Sequence, residues 1–210
     1  MMERRMEKAR VRRTIMGLVL VATIAGGVLV NGCSRSDVAA ENTMLSMSSI
    51  SAKNLSEEEI QGLIQMREEE KLARDVYLTL YERWGLPIFN NIARSEQRHT
   101  DAVRNLLEMF GIPDPVTNDS VGHFSNETFT RLYRELVERG NASLLAALRV
   151  GIDIEELDID DLEELLSQTE NPYIIRVYNS LLRGSHNHLT AFRRTYRQYL
   201  PGNNESAIEK

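Results

Sequence analysis

The stretch Asn91-Ile-Ala-Arg-Ser-Glu-Gln-Arg-His-Thr-Asp-Ala-Val103 decides the fold, because Glu96 and His99 stand three residues apart inside a helical pattern. At 3.6 residues per turn, that spacing puts both side chains on one face. Ile92, Val103, Leu106 and Phe110 fall near the same face, so the pair points into a core. Burying a carboxylate and an imidazole is costly, and the usual remedies are an ion-pair network or a metal ion. Glu-x-x-His alone is common by chance, so partners must be sought elsewhere in the chain.

Upstream, Ser56 and Glu59 form a capping box, with Leu55 and Ile60 as a hydrophobic staple, and predict a helix from residue 57. Its stripe reads Leu63, Met66, Glu70, Ala73, Tyr77, Leu80, Trp84, so Glu70 interrupts an apolar seam. Glu68 and Glu69 fall off the stripe and are read as solvated. Gly85-Leu86-Pro87 breaks the helix and makes the next one its antiparallel neighbour. Downstream, Gly111-Ile-Pro-Asp-Pro115 ends the second helix, residues 116–125 are loop-like, and Ser125 or Asn126 caps a short helix over residues 127–139 that Gly140 stops.

Asn141 is the predicted cap of a long helix reaching about residue 169. Glu155 interrupts its seam of Leu145, Leu148, Ile152, Ile159, Leu162 and Leu166, with Glu156 as the alternative should the register slip by one. The neighbouring run of Asp153, Asp158, Asp160, Asp161, Glu163 and Glu164 lacks EF-hand spacing and is read as a solvated acidic face. Asn171-Pro172 opens the last helix, whose stripe is Ile174, Tyr178, Leu181, Ser185, His188, Phe192. Polar groups therefore lie midway along the apolar seams of four helices.

Sparse Pro and Gly beyond the first forty residues and low aromatic content favour an all-α protein. Residues 1–32 hold six of the 25 Lys/Arg and two of the 31 Asp/Glu, leaving the remainder with 19 against 29, a balance of -10. So acidic a surface argues against nucleic acid as a partner. Six basic residues precede an apolar run from Ile15 to Val30 that ends in Asn31-Gly32-Cys33, the order of a secretory signal. The sequence resembles a bacterial lipoprotein signal peptide (residues 1–32), with the single cysteine, Cys33, as the lipidation site; an uncleaved membrane anchor is the alternative. Residues 33–54 read as a flexible tether, 55–200 as the helical domain and 201–210 as a disordered tail.

Glu70-Lys-Leu-Ala-Arg-Asp-Val-Tyr77 followed by Ile92-Ala-Arg-Ser-Glu-Gln-Arg-His99 resembles the first two core helices of rubrerythrin-type ferritin-like proteins. The closer similarity, over residues from about 60 to 200, is to an uncharacterised bacterial ferritin-like family, domain of unknown function 2202. The resemblance implies a ferritin-like four-helix bundle with a long crossover, carrying an extra short helix, between core helices two and three. It places Glu70, Glu96 and His99 at metal-ligand positions, and Glu155 and His188 complete the candidate set. A symmetrical di-metal bundle has a second Glu-x-x-His where this chain has Ser185-x-x-His188, which leaves a position open opposite Ser185.

Three carboxylates and two imidazoles suit iron, as a di-iron centre, or manganese. Glu96 or Glu155 is the expected bridge. The expected activity is ferroxidase or peroxide-reducing chemistry on a metal ion or small-molecule oxidant. Tyr77 and Tyr178 are either nearby electron or proton donors or core packing, and Ser185 stands beside the site. The expected location is the cell envelope, lipid-anchored, facing the periplasm or cell exterior, with a homodimer among the expected assemblies. The competing expectation is a metal-free or metal-buffering binding module on the same bundle.

Overall fold

The computed structural model describes residues 55–201, so the expected signal peptide (1–32), Cys33, the expected tether (33–54) and all of the expected tail beyond residue 201 lie outside the described residues. Among the described residues there are five helices and no strand: α1 Glu57–Trp84, α2 Pro87–Phe110, α3 Glu127–Asn141, α4 Leu144–Ser167 and α5 Pro172–Gln198. No described helix is long and apolar enough to cross a membrane.

Local chemistry sets the boundaries. The Ser56 hydroxyl accepts from the Glu59 amide while the Glu59 carboxylate accepts from the Ser56 amide, which closes the capping box at the start of α1. Gly85 and Gly111 end α1 and α2 with φ of 64° and 69°, conformations that cost a side-chain-bearing residue. Asn126 caps α3 and Asn171 caps α5. The cap of α4 is Ser143 and not Asn141, because α3 runs on through Gly140 to Asn141 and leaves the Ser143 hydroxyl to accept from the Ala146 amide. Gly140 ends up in the middle of a contact: a Cβ there would lie 2.5 Å from Leu80.

The four long helices form a ring in which α1 packs on α2 and α4, and α5 packs on α2 and α4. Tyr77 meets Gly151 while Gly62 meets Leu165, so α1 and α4 run antiparallel; His99 meets Gly184 while Phe89 meets Phe192, so α2 and α5 do too. The short connections make α1/α2 and α4/α5 antiparallel neighbours. Helices α2 and α4 therefore run in the same direction across the ring, and the chain needs the long connection containing α3 to join them. Two apolar clusters fill the interior. One centres on Tyr77, Phe89, Leu148 and Phe192, the other on Leu63, Met66, Leu107, Leu162 and Ile174.

Helix α1 is buried on every side from Met66 to Tyr77, which a single amphipathic stripe does not anticipate. The connection after α2 covers its outer face, and the charges there are paired. Arg67 meets Asp114 at 3.0 Å, Arg74 meets Asp119 at 2.8 Å, and Asp75 meets both Lys71 at 2.5 Å and Arg74 at 2.8 Å. Lys71 also donates to the Ser120 carbonyl and lies 4.3 Å from the centroid of the Phe124 ring. Glu68 and Glu69, expected in solvent, are both buried: Glu68 under the connection, where it accepts from the Asn126 amide, and Glu69 on the side of α1 that faces Asp161 of α4.

Candidate metal centre

The polar residues that interrupt the seams meet at one level of the ring. Glu70 comes from α1, Glu96 and His99 from α2, Glu155 from α4 and His188 from α5; Glu70, Glu96 and Glu155 are each 2% exposed. Both imidazoles turn Nδ1 towards carboxylates. His99 Nδ1 lies 2.8 Å from Glu96 Oε2 and 3.3 Å from Glu70 Oε2. His188 Nδ1 lies 2.8 Å from Glu96 Oε1 and 3.4 Å from Glu155 Oε2. The two oxygens of Glu96 thus face different histidines, whose rings stack with centroids 5.5 Å apart.

Two three-residue groups result, Glu70–Glu96–His99 and Glu96–Glu155–His188, each with donor atoms within 4.8 Å of one another and both containing Glu96. The register ambiguity on α4 is resolved by packing: Glu155 is inside, while Glu156 turns out to meet Arg193 at 2.7 Å. Tyr77 donates to Glu155 Oε1 at 2.7 Å, and burial, then the neighbouring Glu155, push its pKa well up and keep the proton on the hydroxyl. Tyr178 stands elsewhere, with its hydroxyl near Gly62 and under the influence of Glu69 and Glu59.

Ser185 is beside the cluster, with the carboxylate of Asp158 opposite it. Asp158, one turn along α4 from Glu155, accepts a hydrogen bond from the Ser185 hydroxyl. This corrects the reading of Asp158 as part of a solvated face: it is half-buried and bonded inward, and Asp161 is buried, at 3% exposure. Burial pushes the Asp158 pKa up to about 6, with Ser185 pulling it down and Glu96 pushing it up. After burial itself, Asp158 is the main cause of the raised pKa of Glu70. The sequence did carry a signal: Glu155-x-x-Asp158 repeats the spacing of Glu96-x-x-His99.

The electrostatics are those of a crowded acidic site. Burial and Glu96 push Glu155 up to about 8. Burial pulls both imidazoles down, but the carboxylates beside them outweigh it and raise His99 to about 11 and His188 to about 9. Glu96 is held down at about 2 because the two histidines outweigh its burial. Despite the short distances, Glu70 Oε1, Glu96 Oε1 and both Nδ1 atoms are buried without a hydrogen bond. A network built to satisfy itself would pair these atoms. Donor atoms converging this closely would fit a cation in place of the imidazolium protons, and four carboxylates from Glu70, Glu96, Glu155 and Asp158 would balance the charge of two divalent ions with both imidazoles neutral.

Gly184 makes the arrangement sterically possible. A Cβ at that position would lie 2.5 Å from His99 Cε1 and 2.6 Å from its Nε2, so α5 approaches His99 only because residue 184 has no side chain.

The fold and the site together define an all-helical protein with a buried carboxylate–histidine cluster able to hold metal. The chain belongs to the family described as an uncharacterized protein domain (DUF2202), whose pattern matches residues 59–202. It is 58% identical over 153 residues, covering 73% of this chain and 83% of the relative, to the uncharacterized protein MJ0754 of the archaeon Methanocaldococcus jannaschii. The crystal structure of that hypothetical protein is similar with a TM-score of 0.68 and 59% identity, over 69% of this chain and 83% of the other.

Proposed function

We propose that this chain is a ferritin-like protein that binds two iron ions between its four long helices and uses them in redox chemistry of the ferroxidase or peroxide-reducing type. The observation that carries the reading is the sharing of Glu96 between two three-donor groups, each with its own histidine. Glu70 and His99 would hold one ion and Glu155 and His188 the other, with Glu96 available to both. Oxygen and imidazole donors without thiolate suit iron, with manganese as the competing ion. Bound iron supplies electron transfer to dioxygen or peroxide. The protein's own part is to exclude bulk water with the apolar clusters on either side, to hold Glu155 in place through the Tyr77 hydroxyl, and to balance charge through Asp158.

The test is metal content after expression of the full chain in iron-supplemented medium. About two irons per chain are expected, falling below about one with Glu96→Ala and His99→Ala combined. Metal content near zero in the native chain, or unchanged in the double variant, overturns the reading. Bound iron without turnover of ferrous ion or peroxide supports metal buffering on the same residues instead of catalysis. The basic-apolar-cysteine order of residues 4–33 supports lipid anchoring at the envelope through Cys33. Cys33→Ala is then expected to move the protein from the membrane fraction to the soluble one, and an unchanged distribution overturns the anchor.

A further inference from the structure

A second polar group lies above the cluster in the seam between α1 and α4. A cleft opens there near the start of α1 and the end of α4, and Gly62, Gln65, Asp161 and Leu165 are among its walls. Below it sits Glu69, 8% exposed, whose Oε1 accepts from the wall residue Gln65 at 3.0 Å and whose Oε2 has no partner. Tyr178, 2% exposed, reaches the same place from α5, because a Cβ on Gly62 would lie 3.4 Å from its hydroxyl, and that hydroxyl too has no partner. Residues 62, 65 and 69 on α1, and 158, 161 and 165 on α4, are spaced by three and four, so each trio lies on one face of its helix. The helices run antiparallel, and moving inward from the cleft a charged group would meet Asp161 and Glu69, then Asp158 and Glu70. A buried, unpaired carboxylate oxygen and a buried, unpaired phenol facing a second acid have no use in the packing and cost stability there. Hard oxygen donors of this kind suit a divalent cation.

We propose that Glu69 and Asp161, with the Tyr178 hydroxyl, form a second divalent-cation site, and that cations entering the cleft pause there before passing to the cluster around Glu96. The binding site stands independently of the metal reading of that deeper cluster; only the onward passage rests on it. Acids lining a low-dielectric cleft concentrate cations and speed their capture.

The experiment uses Mn2+ and the full chain. Crystals soaked in Mn2+ are expected to show an anomalous peak between Glu69 and Asp161 that disappears in E69Q/D161N, while the peaks at Glu96 remain. In solution, Mn2+ loading of the deeper cluster is expected to slow at least about tenfold in that variant without change in its final occupancy. Glutamine and asparagine keep the shapes of the acids they replace, and Y178F, which removes only the hydroxyl, gives a second variant in which the outer peak should weaken. A peak at Glu69 with none at Glu96 supports this site and overturns the deeper one. Peaks at Glu96 with only water at Glu69, or an outer peak that persists in E69Q/D161N, overturn the present proposal alone.

Discussion

Asp158 shows how one residue changes the chemistry available to a site. Without it, three carboxylates would face the two divalent ions of the proposed centre and leave one positive charge uncompensated in an apolar interior, where desolvation makes that charge expensive. With it the charges balance, and Ser185, standing where a Glu is expected, serves to orient the carboxylate from the neighbouring helix. Asp158→Asn is expected to weaken divalent-metal binding at the cluster by about 10–100-fold while leaving the metal-free fold at least as stable, which titration with Mn2+ and thermal melts would establish. Unchanged affinity would remove Asp158 from the site. Gly184 supplies a steric counterpart: Gly184→Ala must push His99 aside, at a cost of about 1–3 kcal/mol in urea unfolding together with impaired metal binding. Glu70, Glu96, His99, Glu155 and His188 were legible in the sequence because each polar group interrupts an otherwise apolar stripe. Asp158 was not, because in a run of six acids the usual meaning of clustered charge, solvation, outweighs a spacing of three.

At the scale of elements, capping and glycine chemistry are local, and the starts of α1 and α5 and the ends of α1 and α2 could be read directly from Ser56, Asn171, Gly85 and Gly111. The burial of α1 is not local. It depends on a connection that follows more than twenty-five residues later and lays Asp114, Asp119 and Ser120 over Arg67, Arg74 and Lys71. No periodicity within α1 announces that cover, so Glu68 looked solvated, and Glu69 looked so because the stripe gave no sign that α4 lies against a second side of α1. The same dependence makes Asp75 the tie between helix and connection, since its carboxylate meets Lys71 and Arg74 and accepts from the Gly122 amide at 2.9 Å. Asp75→Ala would leave two buried cations short of their anion and is expected to destabilise the fold by about 3–5 kcal/mol. Urea unfolding measures the loss, and faster hydrogen exchange across residues 116–126 would show that the connection loosens first. A loss below 1 kcal/mol would mean that water satisfies these cations instead.

For the molecule as a whole, the buried charges tie stability to pH and metal to stability. Glu155, raised by burial and by Glu96 from 4.5 to about 8, costs nothing below pH 4.5 and progressively destabilises the metal-free fold as pH climbs towards 8. Burial lowers the affinity of His188 and His99 for a proton, but their carboxylate neighbours raise it more; their stabilisation is complete below pH 6.5 and disappears as pH rises through about 9 and 11. Glu96 acts in the opposite sense: its stabilisation is present above pH 4.5 and is lost as pH falls towards about 2. The metal-free protein is therefore expected to melt highest in mild acid and at falling temperatures from pH 6 to 9. A bound metal would reverse the slope, because its ligands must give up their protons to bind it, so loading would release protons and grow tighter as pH rises. The gap between the melting temperatures of loaded and metal-free protein should widen steadily over that interval. Melts in matched buffers with and without Mn2+ measure it, and a gap that stays constant or narrows would mean that the ion does not displace protons from these histidines and carboxylates.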